Sequence, residues 1–218
     1  KIIITGGLGY IGTELCKLYS GVSWHHQIIV IDNRFISERV NQIRNWNIEF
    51  VQGDILDKNL VEKYCKEADV VHHLAGVTDV PRTKSESSEL QDKKIKEVGK
   101  KGTQNILDVI DDKCKIIFPS THVVYEGLEK VKTEIKESED TKPVLSYSTS
   151  KAINEEQLKK SGKNYIILRL GSVYGYSTDT ARIDIMPNLF SKIASQKNTF
   201  AQHRFGSLQN HKYQILVT

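Results

Sequence analysis

Residues 2–4 are three isoleucines, and four of the next eight residues are glycine: KIIITGGLGYIG. No other stretch narrows the folds open to this chain as far. Isoleucine is stiff at χ1 and suits a strand. A continuous apolar run, rather than an alternating one, suits a strand covered on both faces, as in a parallel sheet. Gly6, Gly7, Gly9 and Gly12 follow. After them, TELCKLYS places Leu15 and Leu18 on one side and Glu14 and Lys17 on the other, a helical pattern. The order is strand, tight turn, helix. Glycine permits positive φ and lets backbone approach a ligand closely. A helix start aimed at such a turn offers unpaired N–H groups and a partial positive charge, which together suit a pyrophosphate. Two spacings fit, Gly7-x-Gly9-x-x-Gly12 and Gly6-x-x-Gly9-x-x-Gly12. A plain structural turn is the alternative.

The second apolar run, QIIVIDN, ends in Asp32. A dinucleotide site calls for an acid at the end of the second strand, roughly 20 residues past the glycines, to accept hydrogen bonds from the adenosine ribose. Asp32 occupies that place. Its charge would repel a 2′-phosphate, which favours NAD over NADP. Arg34 is the nearby group that could accommodate that phosphate.

Apolar runs and amphipathic stretches then alternate. Strands are predicted at 1–5, 27–32, 48–52, 69–73, 115–120 and 165–170. Helices are predicted at about 9–20, 37–44, 57–66, 86–110 and 146–161. This alternation predicts an α/β fold with a doubly wound parallel sheet, and a ligand crevice at the carboxyl ends of the strands. The charged segment EKVKTEIKESEDTKP reads as a surface loop. DIMPNLFSKIASQ reads as a helix entered through Pro187, and the tail FAQHRFGSLQNHKYQILVT as a short closing strand.

Composition sets few limits. The chain has 218 residues, 39% of them hydrophobic and 27% charged, with a formal net charge of +4. No stretch approaches the ~20 apolar residues of a membrane helix. No signal peptide is visible, and the first residue is Lys1, so the sequence is expected to begin after the true start. Basic residues are spread out, and the densest run, KKIKEVGKK, reads as a solvated helix face, so nothing localises a nucleic-acid groove. Cys16, Cys65 and Cys114 lie far apart in apolar segments, which suits buried free thiols in a reducing cytoplasm. The pairs His25-His26 and His72-His73 are poor chelators, because adjacent strand residues point to opposite faces. No metal site is expected.

Two further stretches carry chemistry. IIFPSTHVVY is a buried strand ending in Pro119, Ser120 and Thr121, whose hydroxyls lie at the ligand end of the sheet. YSTSKAINEE puts Tyr147 and Lys151 four apart on one helix face. Tyrosine, with an ordinary pKa near 10, is a poor base at neutral pH. An ammonium one turn away favours the phenolate, as does the positive nicotinamide ring of NAD⁺, which brings Tyr147 toward general-base duty; a partly exposed helix face is the alternative.

With these residues in this order, the sequence resembles the extended short-chain dehydrogenase/reductases, the NAD-dependent nucleotide-sugar epimerase/dehydratase family. The match runs through TGGLGYIG, Asp32 after IIVI, GDI at 53–55, DVVHHLAG at 69–76, STHVVY at 120–125, YSTSK at 147–151 and LRLGSVYG at 168–175. The resemblance implies a Rossmann domain over 1–176 and a partial substrate-binding region over 177–218, the family's smaller C-terminal domain being mostly absent. It implies that Gly6, Gly9, Tyr10, Ile11 and Gly12 line the pyrophosphate turn. Asp32 and Asn33 would meet the ribose, and Asp54 and Ile55 the adenine. Leu74, Ala75, Gly76 and Ser120 would border the nicotinamide end. Tyr147 would be the base, Lys151 its partner and Thr121 the catalytic hydroxyl. Thr78, Thr121, His122, Tyr147 and Tyr174 would face the substrate, a nucleoside-diphosphate sugar. It also implies a cytoplasmic homodimer paired through the helices at 86–110 and 146–161, with Leu90, Ile95, Val98, Ile106 and Val109 as apolar positions. Neither nucleic acid nor membrane is an expected partner.

The departures from the family pattern bear on the reaction. Dehydratases carry an acidic pair directly after the catalytic threonine, where this chain has His122 and Val123. Glu126 replaces the usual glycine of VYG, Gly99 stands where asparagine is common, and Ser172 replaces another asparagine. The expected activity is therefore an NAD-dependent nucleotide-sugar epimerase working through a keto intermediate. The alternatives are a keto-sugar reductase, dehydrogenase or dehydratase of the same family, and a non-catalytic dinucleotide-binding regulator.

Overall fold

Six strands form one parallel sheet: β1 (Ile2–Thr5), β2 (Ile28–Asp32), β3 (Glu49–Gln52), β4 (Val70–His73), β5 (Lys115–Thr121) and β6 (Asn164–Leu170), in the order β3-β2-β1-β4-β5-β6. Six helices alternate with them: α1 (Tyr10–Tyr19), α2 (Ser37–Asn45), α3 (Lys58–Cys65), α4 (Glu89–Val109), α5 (Ser146–Lys160) and α6 (Met186–Ser195). The structure, a computed structural model, describes residues 1–78, 88–130, 132, 134–177 and 185–195. The doubly wound Rossmann sheet expected from the sequence is present, and strand limits fall within a residue of expectation. The expected tail strand and the start of the 86–110 helix lie outside the described residues. A 3₁₀ turn at His122–Tyr125, which periodicity did not predict, follows β5 directly.

Two apolar layers hold the sheet. On one face Ile3, Ile31, Val71, Ile116 and Phe118 pack with Val61 of α3, Ile106 of α4 and Leu158 of α5. On the other, Ile4, Ile28 and Val30 pack with Cys16 of α1 and Val40 and Ile43 of α2. Burial of each such side chain contributes about 1.5–3 kcal/mol. The isoleucine run of β1 is covered on both faces by these two layers, and both its edges are paired, to β2 and β4. The second layer ends there: Ile166 and Leu168 of β6 are 40% and 43% exposed. α6 has no buried residue.

Cys16, Cys65 and Cys114 are buried free thiols. Burial pushes the first two up to about 12 and the third to about 11. His72 and His73 face opposite sides of β4, as alternation requires. His72 Nε2 meets Tyr19 Oη at 2.7 Å, whereas His73 meets Thr5 and Thr103. Ile95 and Ile106 of α4 are in the core and Val98 and Val109 pack against it, so Leu90 is the exposed member of the five positions expected to form a dimer face. Among the described residues no helix is long and apolar enough to cross a membrane.

Candidate active site

The glycine turn connects β1 to α1. Gly6 has φ +71, and a Cβ there would lie 2.7 Å from the backbone nitrogen of Ala75, so only glycine fits. α1 is entered through Gly9, with no side-chain cap and no acid in its first turn. Its first N–H groups and the positive end of its dipole therefore belong to the turn. Asp32, 5% exposed, stands beside it. Its Oδ2 accepts the Leu8 N–H at 3.0 Å, and its Oδ1 accepts Arg34 N–H at 3.0 Å and Nε–H at 3.3 Å. A carboxylate has about four acceptor sites, so capacity for ribose hydroxyls is left. Arg39 of α2 reaches the same turn, its Nη1 donating to Leu8 O at 2.7 Å. An uncapped helix start, a turn that tolerates no side chain at Gly6 and a fixed carboxylate fit a dinucleotide such as NAD.

The loop expected to meet the adenine is fixed from behind. Asn33 donates to Asp54 Oδ2 at 3.1 Å, and Asn105 of α4 donates to Ile55 O at 2.9 Å. The Ile55 side chain itself is in the core. After β4, Ala75 N–H donates to Thr5 Oγ1 at 3.2 Å, and that hydroxyl meets His73 Nδ1 at 2.9 Å. The imidazole continues through Nε2 to Thr103 Oγ1 at 3.0 Å. This chain of bonds suits a neutral ring, and burial, reinforced by the Lys151 charge, pulls His73 down to about 3. Gly76 and Thr78 are exposed.

Tyr147 and Lys151 lie on α5 as expected, at the carboxyl end of β5. Lys151 Nζ donates to Pro119 O at 2.8 Å, sits 4.4 Å from the Phe118 ring centre and lies 5.9 Å from the centre of the Tyr147 ring. Burial pulls the ammonium down to about 8, and the Glu155 charge opposes that fall. Thr121 is buried, and its Oγ1 accepts the Val123 N–H at 3.4 Å, starting the 3₁₀ turn. His122 Nδ1 donates to Leu170 O at 3.1 Å. Ser120, next along the strand, points the other way and donates to Glu155 Oε1 at 2.6 Å. Tyr174 is 64% exposed. Its segment is tied to the glycine turn by Tyr10, whose hydroxyl donates to Gly175 O at 2.8 Å, and to α6 by Asn188.

Sequence reasoning missed most of the support. Glu155 of α5 and Arg169 of β6 form a buried ion pair at 2.6 Å. Burial pushes Glu155 up, but hydrogen bonds from Arg169 and Ser120 outweigh it and hold the carboxyl below its ordinary range. Arg169 also donates to the Tyr125 hydroxyl and, at 3.1 Å, to Glu137 O. A lone arginine inside the apolar run NYIILRL marks a buried charge without naming its partner. Glu126, noted only as a departure from the family pattern, caps α5: its Oε1 accepts Val144 N–H at 2.8 Å, Leu145 N–H at 2.6 Å and the Ser148 hydroxyl. Gly99 has a packing reason. A Cβ there would lie 2.2 Å from Ser150 Oγ, where α4 presses on α5, so a larger residue requires the Ser150 hydroxyl to turn away.

Comparison with known proteins agrees with this geometry. The NAD dependent epimerase/dehydratase family matches residues 2–211. A putative UDP-glucose 4-epimerase of Methanocaldococcus jannaschii is 33% identical over 186 residues, covering 82% of this chain and 57% of that protein. A dTDP-D-glucose 4,6-dehydratase of Dictyostelium discoideum is 30% identical over 196 residues, 80% of this chain and 44% of that one. The structure of a UDP-glucuronic acid 4-epimerase from Bacillus cereus, in complex with UDP-glucuronic acid and NAD, superposes with a TM-score of 0.70 at 27% identity, covering 89% of this chain and 63% of that one. The chain spans about half the length of the curated relatives it matches. With a match over nearly every residue, and with the turn, the strand-end carboxylate and the Tyr147–Lys151 helix in place, the chain belongs to the NAD dependent epimerase/dehydratase family.

Proposed function

We propose that this chain is the cofactor-binding and catalytic part of an NAD-dependent nucleotide-sugar epimerase. Residues 1–176 hold the cofactor, and 177–218 open the region that receives the sugar. The observation that carries this reading is the convergence of α5 on the end of β5. Lys151 is fastened to Pro119, Tyr147 stands one turn before it, and Thr121 is followed by His122 and Val123 rather than by two acids.

The chain's residues divide the work. The α1 start and the glycine turn receive the pyrophosphate, and Asp32 receives the ribose. NAD, when bound, supplies the acceptor and donor of hydride at the sugar carbon. Tyr147 takes the proton of the sugar hydroxyl and returns it when the carbonyl is reduced. Lys151 keeps a positive charge beside the phenolate at neutral pH. The Thr121 hydroxyl orients the sugar oxygen. The relatives named as 4-epimerases support this assignment. A dehydratase is the second reading, supported by the Dictyostelium relative. It needs a proton donor and acceptor for elimination, and His122 and Val123 do not provide the acid pair.

The test is a turnover screen of UDP-, dTDP-, GDP- and CDP-sugars with NAD. An epimerase returns a product of unchanged mass, whereas a dehydratase returns one lighter by a water. Tyr147→Phe should bind NAD and lose at least ~10²-fold in turnover. Near-normal turnover in that variant would overturn the base assignment.

A further inference from the structure

Glu155 lies one turn past Lys151 and two past Tyr147 on α5, and is 1% exposed. Its Oε1 accepts from Ser120 Oγ at 2.6 Å and Arg169 Nε at 3.0 Å, and its Oε2 accepts from Arg169 Nη2 at 2.6 Å. Ser120 and Arg169 face each other in the β5–β6 register, so one carboxylate grips two neighbouring strands. Lys151 Nζ holds the carbonyl of Pro119, the residue before Ser120. Two adjoining residues of β5, immediately before Thr121, are thus fastened to one helix by side chains one turn apart. A buried ion pair is weak evidence for stability, since apolar packing often serves as well. What an apolar pair would not supply is a negative charge behind Lys151.

We propose that Glu155 is a positioning residue for the Tyr147–Lys151 pair, pinning the end of β5 to α5 and setting a negative charge one helical turn behind Lys151; this rests on the reading of Tyr147 as the base. Burial works against the Lys151 ammonium, and Glu155 is the group that opposes it. The other titratable groups around Lys151 do not take this role. His73 on β4 is neutral, and Tyr147 on α5 is the partner the charge serves. Arg169 on β6 is positive and neutralises part of Glu155, and Lys159 on α5 acts on Glu155 in the same sense. In the turn after β5, His122 is bonded to Leu170 O and Tyr125 to Arg169, while Glu126 is engaged at the start of α5. α4 meets this helix through the carbonyls of Ile95, Gly99 and Lys100 and the Gln104 amide.

The experiment is competitive acetylation of the full chain with acetic anhydride from neutral to alkaline pH, with the extent at Lys151 read by mass spectrometry. Glu155→Gln keeps the size of the side chain and removes its charge. Lys151 should then titrate lower, and a fall of one unit from about 8 raises its free amine at pH 7 about fivefold. The readout is the direction of the midpoint: loosened packing alone would wet Lys151 and raise it, whereas loss of the Glu155 charge lowers it. If the Gln variant does not fold, Glu155→Asp withdraws the charge by one methylene, and a smaller fall in the midpoint is expected. An unchanged or raised midpoint in the folded variant overturns the proposal. If that result accompanies an inactive Tyr147→Phe, only the role of Glu155 is lost. Normal turnover in Tyr147→Phe overturns both readings.

Discussion

The two halves of the sheet's carboxyl edge hold their working groups by different means. On the β1–β2 side the groups are backbone N–H donors at the start of α1 and one carboxylate, Asp32, itself fixed by the N–H groups of Leu8 and Arg34. On the β5–β6 side the groups are side chains, fastened to the carbonyls of Pro119 and Leu170 and backed by a polar network of Glu155, Arg169, Ser120, Tyr125 and Glu126. A site built on backbone depends on conformation, so it tolerates changes that leave the turn intact. A site built on buried polar side chains depends on every member, because each lost partner strands another.

The largest expected effect tests the second half of that contrast. Arg169→Met leaves Glu155 buried without its cation and should cost about 3–5 kcal/mol, read as a lower urea midpoint. A loss below about 1 kcal/mol, the value of a surface pair, would erase the difference between the halves. Acid should act where the halves meet. His73 on β4 is held down to about 3 in the folded chain but titrates near 6.5 when unfolded. The unfolded chain therefore takes up the proton first, and stability present above about 6.5 is lost as pH falls toward 3. Between pH 7 and pH 5 the loss should be about 2 kcal/mol, and burial moves His72 in the same direction. Urea midpoints that stay level over that interval would place His73 in contact with water.

The nucleotide half is sharpened by coenzyme choice. NAD should bind at least tenfold more tightly than NADP, about 1.4 kcal/mol, in a fluorescence titration. Arg34→Ala should widen that gap, because it removes the cation now folded onto Asp32. Equal affinities in the unaltered chain would mean that Arg34 leaves Asp32 to meet a phosphate. The smallest effect returns to the catalytic side. Glu126→Ala should cost about 1 kcal/mol in a thermal melt, the usual scale of a lost helix cap. No change would assign the start of α5 to packing alone.

The same contrast explains what the sequence disclosed. Strands were legible because runs such as QIIVID are buried on both faces, and the turn was legible because glycine marks backbone need directly. Tyr147 and Lys151 were legible because a helix brings residues four apart together. Glu155 and Arg169 were not, since their meeting depends on the β5–β6 register, which sets Arg169 beside Ser120. The cap by Glu126 spans 18 and 19 residues to Val144 and Leu145, so no local pattern marks it. The His73 relay joins Thr5 to Thr103 across two elements that only the folded sheet brings together.

The position of β1 between β2 and β4 has a consequence for synthesis on the ribosome. Everything that β1 needs on one side is translated by residue 32, whereas its other neighbour begins at Val70. In the interval the nascent chain carries an apolar strand with one row of N–H and C=O groups unpaired, the kind of edge that other chains add to. Domains emerge at about 5–20 residues per second, so that edge stays open for several seconds. Slowing translation between Asp32 and Val70 should therefore lengthen the window for misassembly, and early arrival of β4 should close it.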